Sequence, residues 1–175
     1  LVSTNPCEVE TLEELEVGGV NADRQVEMWI PLLKSKRTDS LVRQLTELGV
    51  HSVTVYVSER SVVHPKAAAV EKLLHRYQRI SDEATKQCRR TNSVALSFRR
   101  GLPTTRGGLF LWEREGGRAE LLRSEPESPL CVLVGPEGGL SQEEALHLRG
   151  LDWQSVWLGD RVLRAETAVV AAASL

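Results

Sequence analysis

Apolar residues recur along the chain with two periods, one typical of strands and one typical of helices. Short apolar or alternating runs predict strands at Met28–Leu33, His51–Val57, Ser93–Phe98, Leu109–Trp112, Leu130–Val134 and Gln154–Leu158. Apolar spacings of three and four predict helices from Thr38 to Leu48, from Pro65 to about Cys88, from Ser141 to Gly150, and from Thr167 to the end. Because strands and helices alternate, the pattern predicts an α/β fold with a largely parallel sheet.

Proline, glycine and small polar residues predict where several of these elements begin and end. Pro31 lies inside the first strand and therefore predicts an edge or irregular strand. Thr38 or Asp39 is the predicted N-cap of the first helix, and Gly49 lies where its C-terminal cap belongs. Pro65 is predicted to open the long helix at its first position.

Composition places the chain among ordinary soluble globular proteins. It has 175 residues, of which 41% are hydrophobic and 26% are charged. Its longest apolar runs are too short to span a bilayer, and its first residues lack the pattern of a secretory signal. The three cysteines are scattered without metal-ligand spacing, so we expect a reducing compartment and no metal site.

Charge is segregated along the chain although the net charge is only −2. Residues 34–106 contain fifteen lysines and arginines against six acidic residues, whereas the segments on both sides are acidic. A basic central third favours an anionic partner, with nucleic acid as the first candidate. Solvated helix faces would produce the same pattern, and charge alone does not separate the two interpretations.

Two loops at predicted strand ends are the best candidates for a ligand site. The sequence lacks a phosphate-binding P-loop, a GxGxxG fingerprint, an HExxH zinc motif and a GxSxG elbow. The remaining loops are LVGPEGGLS, which leads into a capping box of Ser141 and Glu144, and WLGDRVLRAETA. Ligands of open α/β sheets bind outside the carboxyl ends of strands, although a glycine-rich segment is also typical of an ordinary turn.

The two loops together resemble a known enzyme family. GPEGGLSQEE followed by LGDRVLRAETA is similar to the small-subunit ribosomal RNA uridine-N3 methyltransferases of the SPOUT superfamily. Upstream support comes from TELGV at Thr46–Val50, SERSV at Ser58–Val62 and EATKQCRRT at Glu83–Thr91, and the resemblance covers residues 28–175. The chain departs from the family pattern where Gln44 replaces a lysine, Cys88-Arg89 replaces Ser-Gly, and Val94 lies near a usual proline.

The resemblance implies a fold and a domain organisation. Residues 28–175 would form a SPOUT methyltransferase domain, a parallel sheet whose C-terminal part is tied in a trefoil knot. Residues 1–27 would be a linker and the tail of an N-terminal RNA-binding β-barrel of the PUA type; its last strand is predicted at Glu8–Val17, where a short helix is the alternative. The family acts as a homodimer, and the expected location is the cytoplasm, with an organelle left open.

The resemblance also implies an activity, the methylation of uridine N3 in 16S ribosomal RNA with S-adenosylmethionine as cofactor. The implied cofactor-binding residues come from three loops: Trp112, Val134, Gly135, Pro136, Gly138, Gly139, Leu158, Gly159, Val162, Leu163, Thr167 and Ala168. The alternatives are a related enzyme that acts on another RNA position or on a 2′-oxygen, and a non-catalytic RNA-binding or ribosome assembly module.

Three charged residues are the candidates for chemistry at the uracil ring. Arg164 would stabilise negative charge that develops on the uracil oxygens, unless it is a surface arginine. Glu166 would orient Arg164 or act as the base, or it would only favour the helix dipole. Glu137 is a second candidate base or a structural carboxylate, and Arg161 stays open between site and solvent.

The basic third supplies the candidate RNA contacts. They are Lys34, Lys36, Arg37, Arg60, Gln87 and Arg90. Glu83, Gln87 and Arg90 are spaced i, i+4 and i+7, so we expect them on one helix face. Contacts of this kind neutralise phosphates, which supply much of the affinity of RNA-binding proteins.

Overall fold

A parallel sheet forms the centre of the protein, described from a computed structural model covering residues 25–34, 36–112, 117–118 and 129–174. The strands are β1 (Val26–Pro31), β2 (Ser52–Val57), β3 (Ala95–Arg100), β4 (Gly108–Leu111), β5 (Gly117–Arg118), β6 (Leu130–Leu133) and β7 (Trp153–Trp157). The helices are α1 (Arg37–Glu47), α2 (Ala67–Cys88), α3 (Gln142–Gly150) and α4 (Ala165–Ala173). The strand order is β3-β2-β1-β6-β4-β7-β5, and every described pair is parallel, which confirms the predicted α/β class.

Strand β1 is an interior strand, so of the two alternatives predicted from Pro31, an edge or an irregular strand, the edge strand was wrong. It pairs with β2 on one side and with β6 on the other. The Leu32 amide donates to Tyr56 on β2, so the nitrogen of the preceding Pro31 faces the β6 side. The last residue of β1 that pairs with β6 is Trp29. Proline has no N–H to donate, but at position 31 no described hydrogen bond between β1 and β6 is lost.

The starts of two helices differ from the prediction. Helix α1 has Lys36 as its N-cap, so Thr38 lies inside the first turn, where its buried hydroxyl accepts a hydrogen bond from the Leu33 amide at 2.9 Å. Helix α2 has Lys66 as its N-cap with an extended backbone (ψ 152°), which leaves Pro65 outside the helix. Helix α1 thus begins earlier than Thr38 or Asp39 indicated, and α2 begins two residues later than Pro65 indicated.

Several other boundaries agree or shift by one or two residues. Gly49 follows the C-cap of α1 with a φ of +86°, a left-handed conformation that suits glycine, as predicted. The Ser141–Glu144 capping box is confirmed, with both reciprocal hydrogen bonds in place. Strand β3 lies two residues later than predicted, and α4 begins at Ala165 rather than Thr167.

Two apolar clusters cover the two faces of the sheet. Met28 and Ile30 of β1 belong to the cluster that includes residues of α1, α2 and α4, whereas Trp29 packs against the cluster that includes residues of α3. Successive residues of a strand point to opposite faces, so the clusters lie on opposite sides of the sheet. Because both faces of the sheet are buried, the sequence of β6 is a continuous apolar run.

Part of the sequence prediction falls outside the described residues. The possible strand at Glu8–Val17 lies there, as does most of the predicted N-terminal segment 1–27. Strand β1 begins at Val26, two residues before the predicted start of the main domain. Among the described helices, none combines the length and the hydrophobicity required to cross a membrane. The described residues also contain no cluster of side chains suited to a metal ion.

Candidate functional site

A cavity of about 440 Å³ opens at the carboxyl ends of β4, β6 and β7. Its size lies within the range of small-molecule sites. Most of its walls come from the three loops that the resemblance implies, and Arg37 adds a side chain from the start of α1. The predicted cofactor residues that line the cavity are Trp112, Val134, Gly135, Pro136, Gly139, Leu158, Gly159, Val162, Leu163 and Ala168. The structure therefore brings together residues as far apart in the sequence as Trp112 and Ala168.

Two predicted cofactor residues, Gly138 and Thr167, do not line this cavity. Gly138 instead faces the 58–62 loop, because a Cβ built at this glycine would lie 3.1 Å from the Cβ of Arg60. Thr167 is exposed on α4, while Glu166 and Ala168 on either side of it line the cavity.

The cavity has further lining residues that the sequence reasoning missed. They are Leu111, Leu140, Val156, Trp157, Asp160 and Ala165. Leu140, Trp157, Asp160 and Ala165 lie inside the two quoted loop motifs, so the motif was the available signal. Leu111 and Val156 belong to strands β4 and β7, so only their position at a strand end could have indicated them.

A buried tyrosine anchors the start of the glycine-rich loop. The Tyr56 hydroxyl donates a hydrogen bond to the Val134 carbonyl at 2.8 Å. Burial raises the pKa of Tyr56 well above its usual value, with a smaller contribution from Glu144, so the hydroxyl keeps its proton and remains a donor. The end of β6 is thereby tied to β2, and the loop that follows begins from a defined position.

Three charged side chains form an ion-pair cluster at the cavity. Arg37 Nη2 lies 3.0 Å from Glu137 Oε1, and Arg37 Nη1 lies 3.7 Å from Glu166 Oε2. Glu166 Oε2 is buried and has no hydrogen-bond partner among the described residues. The two candidate bases thus share one arginine, which had been predicted to bind RNA.

The candidate Arg164 is an exposed residue at the cavity and forms the N-cap position of α4. Glu166 forms its ion pair with Arg37. The arrangement gives no support to the interpretation that Glu166 orients Arg164. Asp160 and Arg161 are exposed neighbours in the same loop and also line the cavity.

Some of the predicted RNA contacts border a second cavity, a surface groove of about 610 Å³ between α1 and α2. Lys36 and Gln87 both line it, together with Arg43 and Lys86. Lys34 is exposed in the loop that leads into α1. The groove also carries acidic residues, namely Asp39, Glu47 and Glu83, so its rim is of mixed charge.

The remaining two arginines of the predicted RNA set make contacts within the fold. Arg60 Nη1 lies 3.4 Å from the Gly138 carbonyl and 3.3 Å from the Leu140 carbonyl, so it holds the glycine-rich loop. Arg90 Nη1 donates to the carbonyls of Thr46 and Val50 at 2.9 and 3.0 Å, near the end of α1.

The environment of Arg90 is that of a structural residue. Burial lowers its pKa from the ordinary arginine value. The preceding Arg89, where the resemblance expects glycine, has a left-handed φ of +59°. Arg90 is therefore better suited to holding the end of α1 than to binding RNA.

The fold and the cavity together define a class of protein. A parallel sheet covered on both faces, with a ligand-sized cavity at the carboxyl ends of its strands, is typical of α/β proteins that bind a small cofactor. A family model described as an RNA methyltransferase domain matches residues 21–175, and the chain belongs to this family.

Relatives of the chain include proteins named ribosomal RNA small subunit methyltransferase E. The one from Aquifex aeolicus is 37% identical over 147 residues, which are 80% of this chain and 62% of that protein. The one from Bacillus subtilis is 27% identical over 191 residues, covering 96% of this chain and 75% of that protein. The chain thus spans less than two thirds of the length of the Aquifex relative.

Solved structures with the same fold contain a bound cofactor. A Legionella pneumophila methyltransferase, solved with bound cofactor SAM, has a TM-score of 0.77 and 27% identity, covering 89% of this chain and 66% of that one. A Neisseria gonorrhoeae ribosomal RNA small subunit methyltransferase E bound to S-adenosyl methionine has a TM-score of 0.81 at 24% identity, covering 91% and 68%. The second likeness establishes the fold alone.

Proposed function

We propose that the protein methylates N3 of uridine in small-subunit (16S) ribosomal RNA, using S-adenosylmethionine. The observation that carries the proposal is the three-loop cavity, with Arg164, Glu137 and Glu166 at its wall. Support comes from the RNA methyltransferase family match and from relatives that are named small-subunit ribosomal RNA methyltransferases.

The cavity residues fit the proposed cofactor. Val134, Leu158 and Leu163 supply apolar contact for an adenine ring, and the glycine-rich loop brings backbone groups close to a ligand. Gly135 has little room for a side chain, because a Cβ there would lie 3.3 Å from the Leu140 side chain and from its amide. When bound, S-adenosylmethionine supplies a methyl group on a positively charged sulfur.

The protein must then orient the uracil ring and accept a proton. Uridine N3 carries a proton at neutral pH, so methylation requires that this proton leaves as the bond from N3 to carbon forms. Glu137 and Glu166 are the carboxylates at the cavity that serve as candidate acceptors. Arg164, exposed at the same wall, is suited to stabilise negative charge on the uracil oxygens.

The proposal extends to a knot, an N-terminal domain and a dimeric state. We infer a C-terminal trefoil knot, supported by the path of the chain from β7 past β4 and β6 to α4, which packs on α1 and β1. The residues that precede β1, which begins at Val26, would be the tail of an N-terminal RNA-binding barrel and a linker. The active form would be a cytoplasmic homodimer, and Val162, which is 82% exposed beside the cavity, is a candidate interface residue.

The proposed RNA surface is the groove between α1 and α2, together with the loop that precedes α1. Lys36 lines the groove, whereas the next residue, Arg37, lines the cavity. An RNA strand bound along the groove would therefore approach the cavity across this loop. Lys34, which is exposed in the loop, would add a phosphate contact.

Replacing Lys36 with alanine is expected to weaken RNA binding and to lower the slope of log affinity against log salt by about 1, because one phosphate contact is lost. Arg90→Met is the matched control, since it also removes a cation but one that binds main-chain carbonyls. It should lower stability and leave the salt slope unchanged. RNA-binding isotherms at several salt concentrations measure the affinity and the salt slope of each variant. Equal slopes for wild type and Lys36→Ala would show that the groove is not part of the RNA surface.

Isothermal titration of the folded chain with S-adenosylmethionine tests the proposed activity at its first step. We expect saturable binding of one cofactor per cavity. A chain that is folded by circular dichroism but takes up no cofactor would contradict the enzymatic proposal and favour a non-catalytic RNA-binding role.

A further inference from the structure

Arg37, the first residue of α1, has a guanidinium that contacts three separate segments at the carboxyl ends of the strands. Its Nε donates to the carbonyl of Lys34, in the loop between β1 and α1, at 3.3 Å. Nη2 contacts Glu137 in the loop after β6, and Nη1 faces Glu166 in the first turn of α4, after β7. All three nitrogens are therefore directed at main-chain or carboxylate oxygens.

The charges make this arrangement depend on the arginine. The side chains are partly exposed, at 38% for Arg37, 25% for Glu137 and 27% for Glu166, so each ion pair by itself is weak. Without Arg37, however, two like charges would remain beside one another at the cavity. One of their oxygens, Glu166 Oε2, is buried and has no hydrogen-bond partner among the described residues, so water would not screen it fully.

We propose that Arg37 is a positioning residue that clamps the glycine-rich loop to the start of α4 and so keeps the cavity in the shape that takes the cofactor. Only the identity of the ligand rests on the proposed function; the clamp itself rests on the ion-pair cluster. This role differs from the contact with RNA phosphate that the basic loop predicts, because the guanidinium is already occupied by two carboxylates.

Hydrogen exchange without cofactor tests the clamp directly. Arg37→Met is expected to speed amide exchange in residues 135–140 and 158–168 by about tenfold, because both segments lose their shared partner. Arg37→Lys retains the positive charge but lacks the planar guanidinium that can contact two carboxylates at once. Its exchange rate should fall between those of wild type and Arg37→Met. Arg43→Met removes a cation from the same helix outside the cluster, and its exchange should match wild type.

Charge removal separates a clamp from a direct contact between Arg37 and the ligand. Arg37→Met is expected to weaken cofactor binding about tenfold by isothermal titration. Adding Glu137→Gln and Glu166→Gln to Arg37→Met should restore part of the lost affinity, because the repulsion between the carboxylates is gone. A direct contact predicts no such recovery.

Each result has a defined consequence. Unchanged exchange in Arg37→Met would overturn the clamp, and faster exchange with unchanged cofactor affinity would overturn its link to the ligand. A wild-type protein that binds no S-adenosylmethionine would overturn the proposed function, while the exchange data would still decide the clamp.

Discussion

Replacing Arg164 with alanine is expected to lower methyl transfer by about 100-fold or more while leaving the affinity for S-adenosylmethionine within about twofold. Arg164 is exposed at the cavity wall, and in our proposal it stabilises negative charge on the uracil ring. Its side chain makes no capping hydrogen bond to α4, so the substitution should leave the fold intact. Single-turnover kinetics with saturating RNA, together with cofactor titration, measure the two quantities separately.

Arg106→Ala is the control for this experiment. Arg106 lies in the loop that leads into β4, at the amino ends of the strands and so away from the cavity. It forms an exposed ion pair with Asp152. Exposed pairs of this kind contribute little, so its methyl transfer should equal that of wild type. If Arg164→Ala transferred methyl groups at the same rate as Arg106→Ala, Arg164 would have no role in the reaction.

Replacing Gly108 with alanine is expected to destabilise the protein by about 3 kcal/mol, or to lower the melting temperature by roughly 10 °C. Gly108 has a φ of +149°, and a Cβ there would lie 2.6 Å from the nearest ring atom of Trp153. The indole cannot easily move, because Trp153 is buried and its Nε1 donates to the Thr105 carbonyl. Thermal and urea unfolding measure the loss.

The neighbouring glycine provides the matched control. Gly107 also has a positive φ, +78°, but a Cβ there would meet nothing within 4 Å. Gly107→Ala should therefore lower the free energy of unfolding only through backbone strain, by about 1 kcal/mol. Equal losses for the two variants would show that the contact with the Trp153 ring contributes nothing, contrary to our interpretation.

Features that depend on neighbouring residues were predictable from the sequence. The capping box needs only Ser141 and Glu144, three positions apart, and both of its hydrogen bonds are present. The parallel sheet follows from the alternation of strands and helices. The cavity follows from one further rule, that loops at the carboxyl ends of parallel strands lie at one edge of the sheet.

Features that depend on distant pairing were not predictable. Pro31 indicated an edge strand because the sequence does not specify which strands flank β1. Arg37 and Arg60 appeared as cations of a basic region, yet their partners lie about 80 to 130 positions away in the sequence. A positive charge has the same appearance in a sequence whether it binds phosphate, a carbonyl or a carboxylate, so only the fold separates these roles.

The central claim is that this protein methylates uridine N3, and nucleoside mass spectrometry of small-subunit ribosomal RNA tests it most directly. The RNA should come from cells that lack the gene, and from the same cells carrying either the wild-type gene or the Arg164→Ala variant. We expect 3-methyluridine to disappear when the gene is deleted, to return with the wild-type gene and to stay strongly reduced with the variant. Retention of 3-methyluridine in the deleted cells, or loss of a ribose 2′-O-methyl group instead, would contradict it.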